Sequence, residues 1–329
     1  MKNRLLFAGK VLVAAVLVTW LVKSGALDFS KLALLWERPF LLFMTLVMFA
    51  ASVCINGTRW RVLLHYAGVD VPLLRAWQLH LTSMFFNLAI PGNVGGDVIK
   101  SLYVARDTGD SAKRTPIFLA VFADRLLGLA GMVTTATVIT VLRGPALWND
   151  PLLRPMAATV ALLGAGVLIG PAVLILVIRR GGERVEKWLE GPSRIAKLLA
   201  QIVAALRLLA SRPVGLVKAL GLAMTYHAVG IVFFKVLTDA VTGESAPYSS
   251  IATVFPIGNL TIMIPIAPAG VGVGHAAFEG LFKLVGLSQG ATVFNLFLIC
   301  TMAPCLLGVF PYLALRKTGV PSAEDGLRS

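Results

Sequence analysis

The chain has 329 residues; 57% are hydrophobic, only 14% are charged, and mean hydropathy is +0.82. Soluble domains carry about 45–50% apolar and about 25% charged residues, so this composition excludes both a water-soluble enzyme and a disordered chain. The net charge of +14, from 30 Lys plus Arg against 16 Asp plus Glu, reads as membrane-loop charge rather than as a nucleic-acid surface.

In chain order, the first apolar run covers Phe7–Val22 after Lys2 and Arg4. It predicts an uncleaved first membrane helix rather than a signal peptide. Phe40–Leu64 predicts the second crossing; about 20 apolar residues suffice for one. Trp77–Ile90 then meets Pro91-Gly-Asn-Val-Gly-Gly-Asp97, a glycine/proline interruption rather than a plain span. Thr115–Leu142 and Pro155–Ile178 predict two further crossings. Glu183–Ala210 is the one long amphipathic stretch. Val185, Trp188, Leu189, Ile195, Leu198, Leu199 and Ile202 recur near helical spacing, with a break at Gly191-Pro192. It reads as a cytoplasmic linker on the headgroups. Val214–Thr238 predicts the next crossing. Ile251–Ala267 meets a second interruption, Pro268-Ala-Gly-Val-Gly-Val-Gly274, and Gly290–Leu315 predicts the last crossing.

Loop charge orients these segments. With the N-terminus cytoplasmic and each interrupted segment returning to its side of entry, the cytoplasmic stretches hold 22 Lys plus Arg and the opposite stretches 5. This predicts six full crossings plus two broken or re-entrant segments, all-α, with both termini cytoplasmic. Residues 1–315 form one transmembrane domain, with halves 1–178 and 214–315 joined by the linker 179–213, and 316–329 is a short cytoplasmic tail. One interruption in each half, entering from opposite sides, is the pattern of an inverted repeat around a transport site. Restarted helices there point free amides into a cavity, a seat for phosphate.

Few ionisable residues lie in the apolar sequence, and such residues mark function. Asp97 closes the first glycine turn, either capping the restarted helix or binding a proton, a cation or a headgroup. Asp124 and Arg125 are adjacent, so they face different partners on a helix. His275 follows the second turn, and Glu279 shares its helix face one turn later. Asp97, Asp124, His275 and Glu279 are therefore the proton-coupling candidates. Candidates for substrate binding are Arg59, Asn87, Gly92, Asn93, Gly95, Gly96, Asp97, Lys100, Arg106, Arg125, Gly270 and Gly272. Arg59 beside Trp60 also reads as a snorkelling anchor. His80 and His227 read as helix-bonded histidines. Cys54, Cys300 and Cys305 show no ligand-like spacing, so no metal or cofactor is expected. No P-loop or other soluble-enzyme motif is present.

The stretch Phe86-Asn-Leu-Ala-Ile-Pro-Gly-Asn-Val-Gly-Gly-Asp-Val-Ile-Lys100 resembles the signature of the lysylphosphatidylglycerol synthase transmembrane-region, or flippase-like, family. So do Asp124-Arg-Leu-Leu-Gly128 and Pro265-Ile-Ala-Pro-Ala-Gly-Val-Gly-Val-Gly274. Lys100 matches the basic residue that family carries after its Asp. Gly274-His275 departs from its commoner glycine-plus-glutamate ending. The resemblance implies a polytopic protein of the bacterial inner membrane that handles a phospholipid, a polyprenyl phosphate or a hopanoid-type lipid. It also implies partners among anionic or phosphate-bearing lipids and envelope lipid-synthesis enzymes. Three functions stay open on the sequence: a passive or ion-coupled lipid transporter, an intramembrane enzyme on a lipid phosphate, and a non-catalytic scaffold.

Overall fold

A computed structural model describes residues 37–89, 95–189, 193, 196, 199–204, 213–262 and 272–317. Among them the chain is all-α with no strand, and five helices are long and apolar enough to cross a membrane. The run Phe7–Val22 lies outside the described residues.

Helix α1 is Pro39–Tyr66, with proline at its first position, where the missing N–H costs nothing. Helices α2 (Leu73–Ala89) and α3 (Gly95–Thr108) follow. A short 3₁₀ turn, Ser111–Lys113, leads into α4 (Arg114–Arg143), which ends at Gly144. One helical turn, α5 (Pro145–Trp148), precedes α6 (Arg154–Leu189). The second half holds α7 (Pro213–Thr242), α8 (Tyr248–Ile262) and α9 (Val273–Leu284). It closes with α10 (Gly290–Met302), a 3₁₀ segment Ala303–Gly308, and α11 (Val309–Lys317).

Two boundaries differ from the sequence expectation. Helix α6 runs unbroken past Ile178 to Leu189, through Gly181 and Gly182; a glycine costs a helix interior only about 1 kcal/mol, whereas proline, first met again at Pro192, costs about 3. Pro171 is accommodated inside it. The last span is interrupted at 303–308, where Pro304 withholds an amide from the helical ladder.

Both interrupted segments double back on themselves. In the first, Arg75 at the start of α2 pairs with Asp107 at the end of α3, at 2.7 and 2.9 Å. At the other end, the Gly96 amide donates to Asn87 Oδ1 at 2.8 Å. Helices α2 and α3 are thus an antiparallel hairpin; its described residues nearest the tip are Ala89 and Gly95. In the second, Gly258 of α8 packs on Phe278 of α9, and Ile262 at the end of α8 meets Gly274 at the start of α9. That register makes a second hairpin, whose described residues nearest the tip are Ile262 and Gly272.

The two halves are also antiparallel to one another. Tyr66, ending α1, packs on Gly215, starting α7, while Arg38 just before α1 donates to the Ala240 carbonyl near the end of α7 at 3.0 Å. The order helix, hairpin, long helix repeats. The pairs of starts are Pro39 and Pro213, Leu73 and Tyr248, Gly95 and Val273, and Arg114 and Gly290. Each second start lies roughly 175 positions after the first, as an inverted repeat requires. Hairpin 1 therefore has its base on one face of the molecule, the Arg75 face. Hairpin 2 has its base on the opposite face, where Arg143 at the end of α4 donates to Ser249 O at 3.2 Å and Thr253 Oγ1 at 3.1 Å.

Small residues set the close approaches, as expected where lipid supplies no hydrophobic drive between helices. A methyl group on Gly131 of α4 would collide with Ala223 of α7. Each hairpin also packs on the far half. Gly308 and Tyr312 contact α2 at Leu81, Phe85 and Phe86. Around hairpin 2 an aromatic core forms from Phe234, Phe255, Phe278, Phe294 and Phe297, with Phe278 and Phe294 stacked at 4.8 Å.

Candidate functional site at the tip of the first hairpin

The tip of hairpin 1 is held deep in the molecule by two local features. Gly96 lies so close to the Ser83 carbonyl of α2 that no side chain fits there. Asn87 caps its amide, as noted above. These contacts fix the first turn of α3, which carries Asp97 on one turn and Lys100 on the next.

Five charges converge at this tip in alternating order. Arg59 of α1 donates through Nε to Asp124 Oδ1 of α4 at 2.7 Å. Lys100 Nζ lies 3.8 Å from Asp124 Oδ2 and 2.9 Å from Asp97 Oδ1. Asp97 Oδ2 in turn accepts from Arg125 Nε. The series Arg59, Asp124, Lys100, Asp97, Arg125 thus links three helices. Its side-chain exposure runs 8%, 7%, 2%, 15% and 42%, so the chain is buried at Arg59 and open at Arg125. Adjacent residues Asp124 and Arg125 indeed take different partners, as helix geometry demands. Asp124 sits ten residues into α4, ~15 Å along its axis from Arg114 at 1.5 Å per residue. That depth lies well inside a hydrocarbon core about 30 Å thick.

Isolated charges at this depth are costly, and alternation is what makes them tolerable. Lys100 is fully enclosed, and its ammonium also sits 4.9 Å from the centre of the Trp60 ring, a cation–π contact. Arg59 is buried beside Asp124, so it does not snorkel. Arg59 and Lys100 are therefore not loop charges, and the loop total of 22 falls to 20 against 5 without changing its direction.

Two polar atoms around this cluster stand out. Trp60 Nε1 and His80 Nδ1 are buried without a hydrogen-bond partner. Leaving such an atom unpaired costs about 1–3 kcal/mol. His80, on α2, lies within electrostatic reach of Lys100, Asp124, Arg59 and Asp97. The sequence reads His80 as a helix-bonded histidine, but its Nδ1 makes no such bond; only the fold brings α1, α2 and α3 together around Lys100.

The remaining candidates are placed elsewhere. Gly92, Asn93 and Gly270 lie outside the described residues. Arg106 is in the last turn of α3, near the base of hairpin 1. Gly272, with φ +80°, starts α9 on hairpin 2, a conformation that favours glycine. His275 Nδ1 accepts from the Gly272 amide at 3.3 Å. Glu279 accepts from the Ala291 amide at 3.1 Å and pairs with Lys283 at 3.3 Å, joining α9 to the start of α10. His227 bonds the Gly128 carbonyl of α4 at 3.2 Å. Among the described residues no group of three His, Cys, Asp or Glu is placed to hold a metal ion.

Comparison with known proteins agrees with this picture. The model of the lysylphosphatidylglycerol synthase TM region family matches residues 7–308. A UPF0104 membrane protein of Pyrococcus horikoshii is 26% identical over 134 residues, 40% of this chain. The match spans 38% of that relative's own length. No solved structure matches the chain. Helical hairpins with glycine-rich tips, apolar helices long enough to span and a family match over nearly the whole chain lead to one statement: this multi-pass integral membrane protein belongs to the lysylphosphatidylglycerol synthase transmembrane-region family.

Proposed function

We propose that the protein carries a lipid with a phosphate-bearing headgroup between the two leaflets of a bacterial inner membrane. The observation that carries this reading is the graded ion chain, buried at Arg59 and open at Arg125, at the tip of a membrane hairpin. A guanidinium presents a donor fork that matches phosphate geometry. A headgroup arriving at Arg125 exchanges with the Asp97 carboxylate there, while Lys100 keeps Asp97 from becoming a lone buried charge. The acyl tails stay in the bilayer, so only the headgroup needs a polar path. The Arg75 face is cytoplasmic in this reading, because the flanking loops on that side carry most of the Lys and Arg. Movement is passive or ion-coupled.

The test is reconstitution into phosphatidylcholine vesicles with trace acyl-labelled phosphatidylglycerol, and in a second arm labelled polyprenyl phosphate. Bleaching of the outer leaflet reads how much label has crossed. Crossing above protein-free vesicles, reduced at least ~10-fold by Asp97→Asn, is the expected result; removing a charge-assisted contact worth about 1.5–3 kcal/mol sets that scale. No crossing of either lipid above the protein-free control refutes the proposal.

A further inference from the structure

We propose that the lipid reaches the ion chain sideways from the bilayer, along the outer face shared by α3 and α4, and is one whose headgroup bears a single net negative charge. This deepens the carrier reading above by placing the lipid on the molecule. The argument starts from what α3 and α4 leave uncovered. On α3 these are Val98, Leu102 and Arg106, spaced four apart and so on one helix face. On α4, beyond its first turn, Phe118, Arg125 and Leu129 share a face at separations of seven and four. Asp97, one position before Val98, meets Arg125 across the seam between the two helices.

Apolar exposure alone says little in a membrane protein. Helix α6 leaves Leu162 and Leu168 74% and 72% exposed, and residues 155–178 carry no charge; that is an ordinary lipid-facing surface. The α3–α4 face differs, because an exposed guanidinium stands among its apolar side chains. Arg125 lies ~17 Å along α4 from Arg114, a depth at which a charge facing hydrocarbon is costly. The balance of the ion chain says what offsets it. Arg59, Lys100 and Arg125 are three cations against the two carboxylates Asp97 and Asp124. One positive charge is in excess, and the open end of the chain is Arg125. A headgroup with one net negative charge balances it, and a zwitterionic headgroup does not. Leu102 and Phe118 lie between Arg125 and the Arg75 face, so the tails of that lipid rest on them, with Arg106 at the outer end of the same strip. No wall of α3 or α4 encloses the tails there, so selection is by charge and not by tail length.

The experiment uses the full chain in phosphatidylcholine vesicles with a trace of acyl-tritiated phosphatidylglycerol, or the same trace of acyl-tritiated phosphatidylcholine. A photoreactive benzophenone side chain replaces Leu102, Phe118 or, as a control, Leu168, and illumination captures whatever lies against it. At Leu102 and Phe118 phosphatidylglycerol is captured about tenfold over phosphatidylcholine, a ratio equivalent to ~1.4 kcal/mol. At Leu168 the two are captured alike. Arg125→Gln brings the ratio at Leu102 and Phe118 down to that at Leu168, and Arg125→Lys restores part of it. Equal capture of the two lipids at Leu102 and Phe118 overturns the inference. So does a preference that survives Arg125→Gln, one that appears equally at Leu168, or capture of a second copy of the chain in place of lipid. Wild-type protein that moves lipid between leaflets yet shows no preference leaves the carrier reading standing and removes this one; a preference without crossing does the reverse.

Discussion

The ion chain makes a sharp energetic prediction at its buried end. In Asp124→Leu, Arg59 loses its carboxylate at 2.7 Å, and Lys100 keeps only Asp97. Both cations stay enclosed, and an uncompensated buried charge costs about 3–5 kcal/mol. A fold of ordinary stability holds only about 5–15 kcal/mol in reserve. At about 2–4 °C per kcal/mol, the melting midpoint in detergent falls by ~6–20 °C. Arg59→Met strands Asp124 with a single cation at 3.8 Å and falls by a comparable amount. The double variant removes both charges and leaves the Lys100–Asp97–Arg125 part intact. It therefore melts above either single variant, with a coupling of ~2 kcal/mol or more. The assay is fluorescence-detected size exclusion after heating, on all four members of the cycle. Singles within ~1 kcal/mol of wild type, or a double as low as the sum of the singles, refute the reasoning.

The open end behaves differently. Arg125 is 42% exposed, so Arg125→Ala changes stability by at most ~1 kcal/mol while lipid crossing drops; a matching fall in melting point contradicts the assigned role. Gly96→Ala forces a methyl against the Ser83 carbonyl, so it opens the hairpin tip at a cost of about 1–3 kcal/mol, read in the same thermal assay; an unchanged melting point contradicts the packing. Single cysteines at Arg75 and Asp107 react with a membrane-impermeant maleimide from one side, and those at Tyr248 and Ser288 from the other. Labelling of 75 and 107 from opposite sides is incompatible with a doubled-back hairpin.

Much of this architecture is legible in the sequence because hydropathy and loop charge are summed over long stretches. Five of the expected crossings coincide with helices found among the described residues. The doubling-back of both broken segments follows from requiring the Lys/Arg-rich loops to share a side. Individual partners are another matter. Arg59 and Asp124 are 65 positions apart, and Arg125 and Asp97 are 28 apart. No local spacing rule joins them, so Arg59 reads as an interfacial anchor until α1 is packed on α4. His80 is obscured for the same reason: its significance lies in lacking a partner, and a partner can be missing only once neighbours are known. Pro304 is overlooked for a different reason: it sits in a run, Gly290–Leu315, whose summed hydropathy argues for one continuous span, and the interruption at 303–308 emerges only in the structure.

The inverted repeat has a consequence for direction. A scaffold whose halves are related by inversion treats the two leaflets alike. The side chains do not. Around the tip of hairpin 1, α1, α3 and α4 bring together two carboxylates, an ammonium and two guanidinium groups, whereas at the start of α9 hairpin 2 offers an imidazole already engaged with its own backbone. From the Arg114 end of α4 the charges lie ~15 Å in, and from the Arg143 end ~29 Å. On the proposed carrier function, a headgroup starting from the first face would meet its binding charges halfway through its journey at most, and one starting from the second would first travel along residues 126–142 of α4, which carry no charge. On that proposal, any preference between inward and outward traffic originates in this unequal furnishing of two equivalent hairpins, not in the fold that holds them.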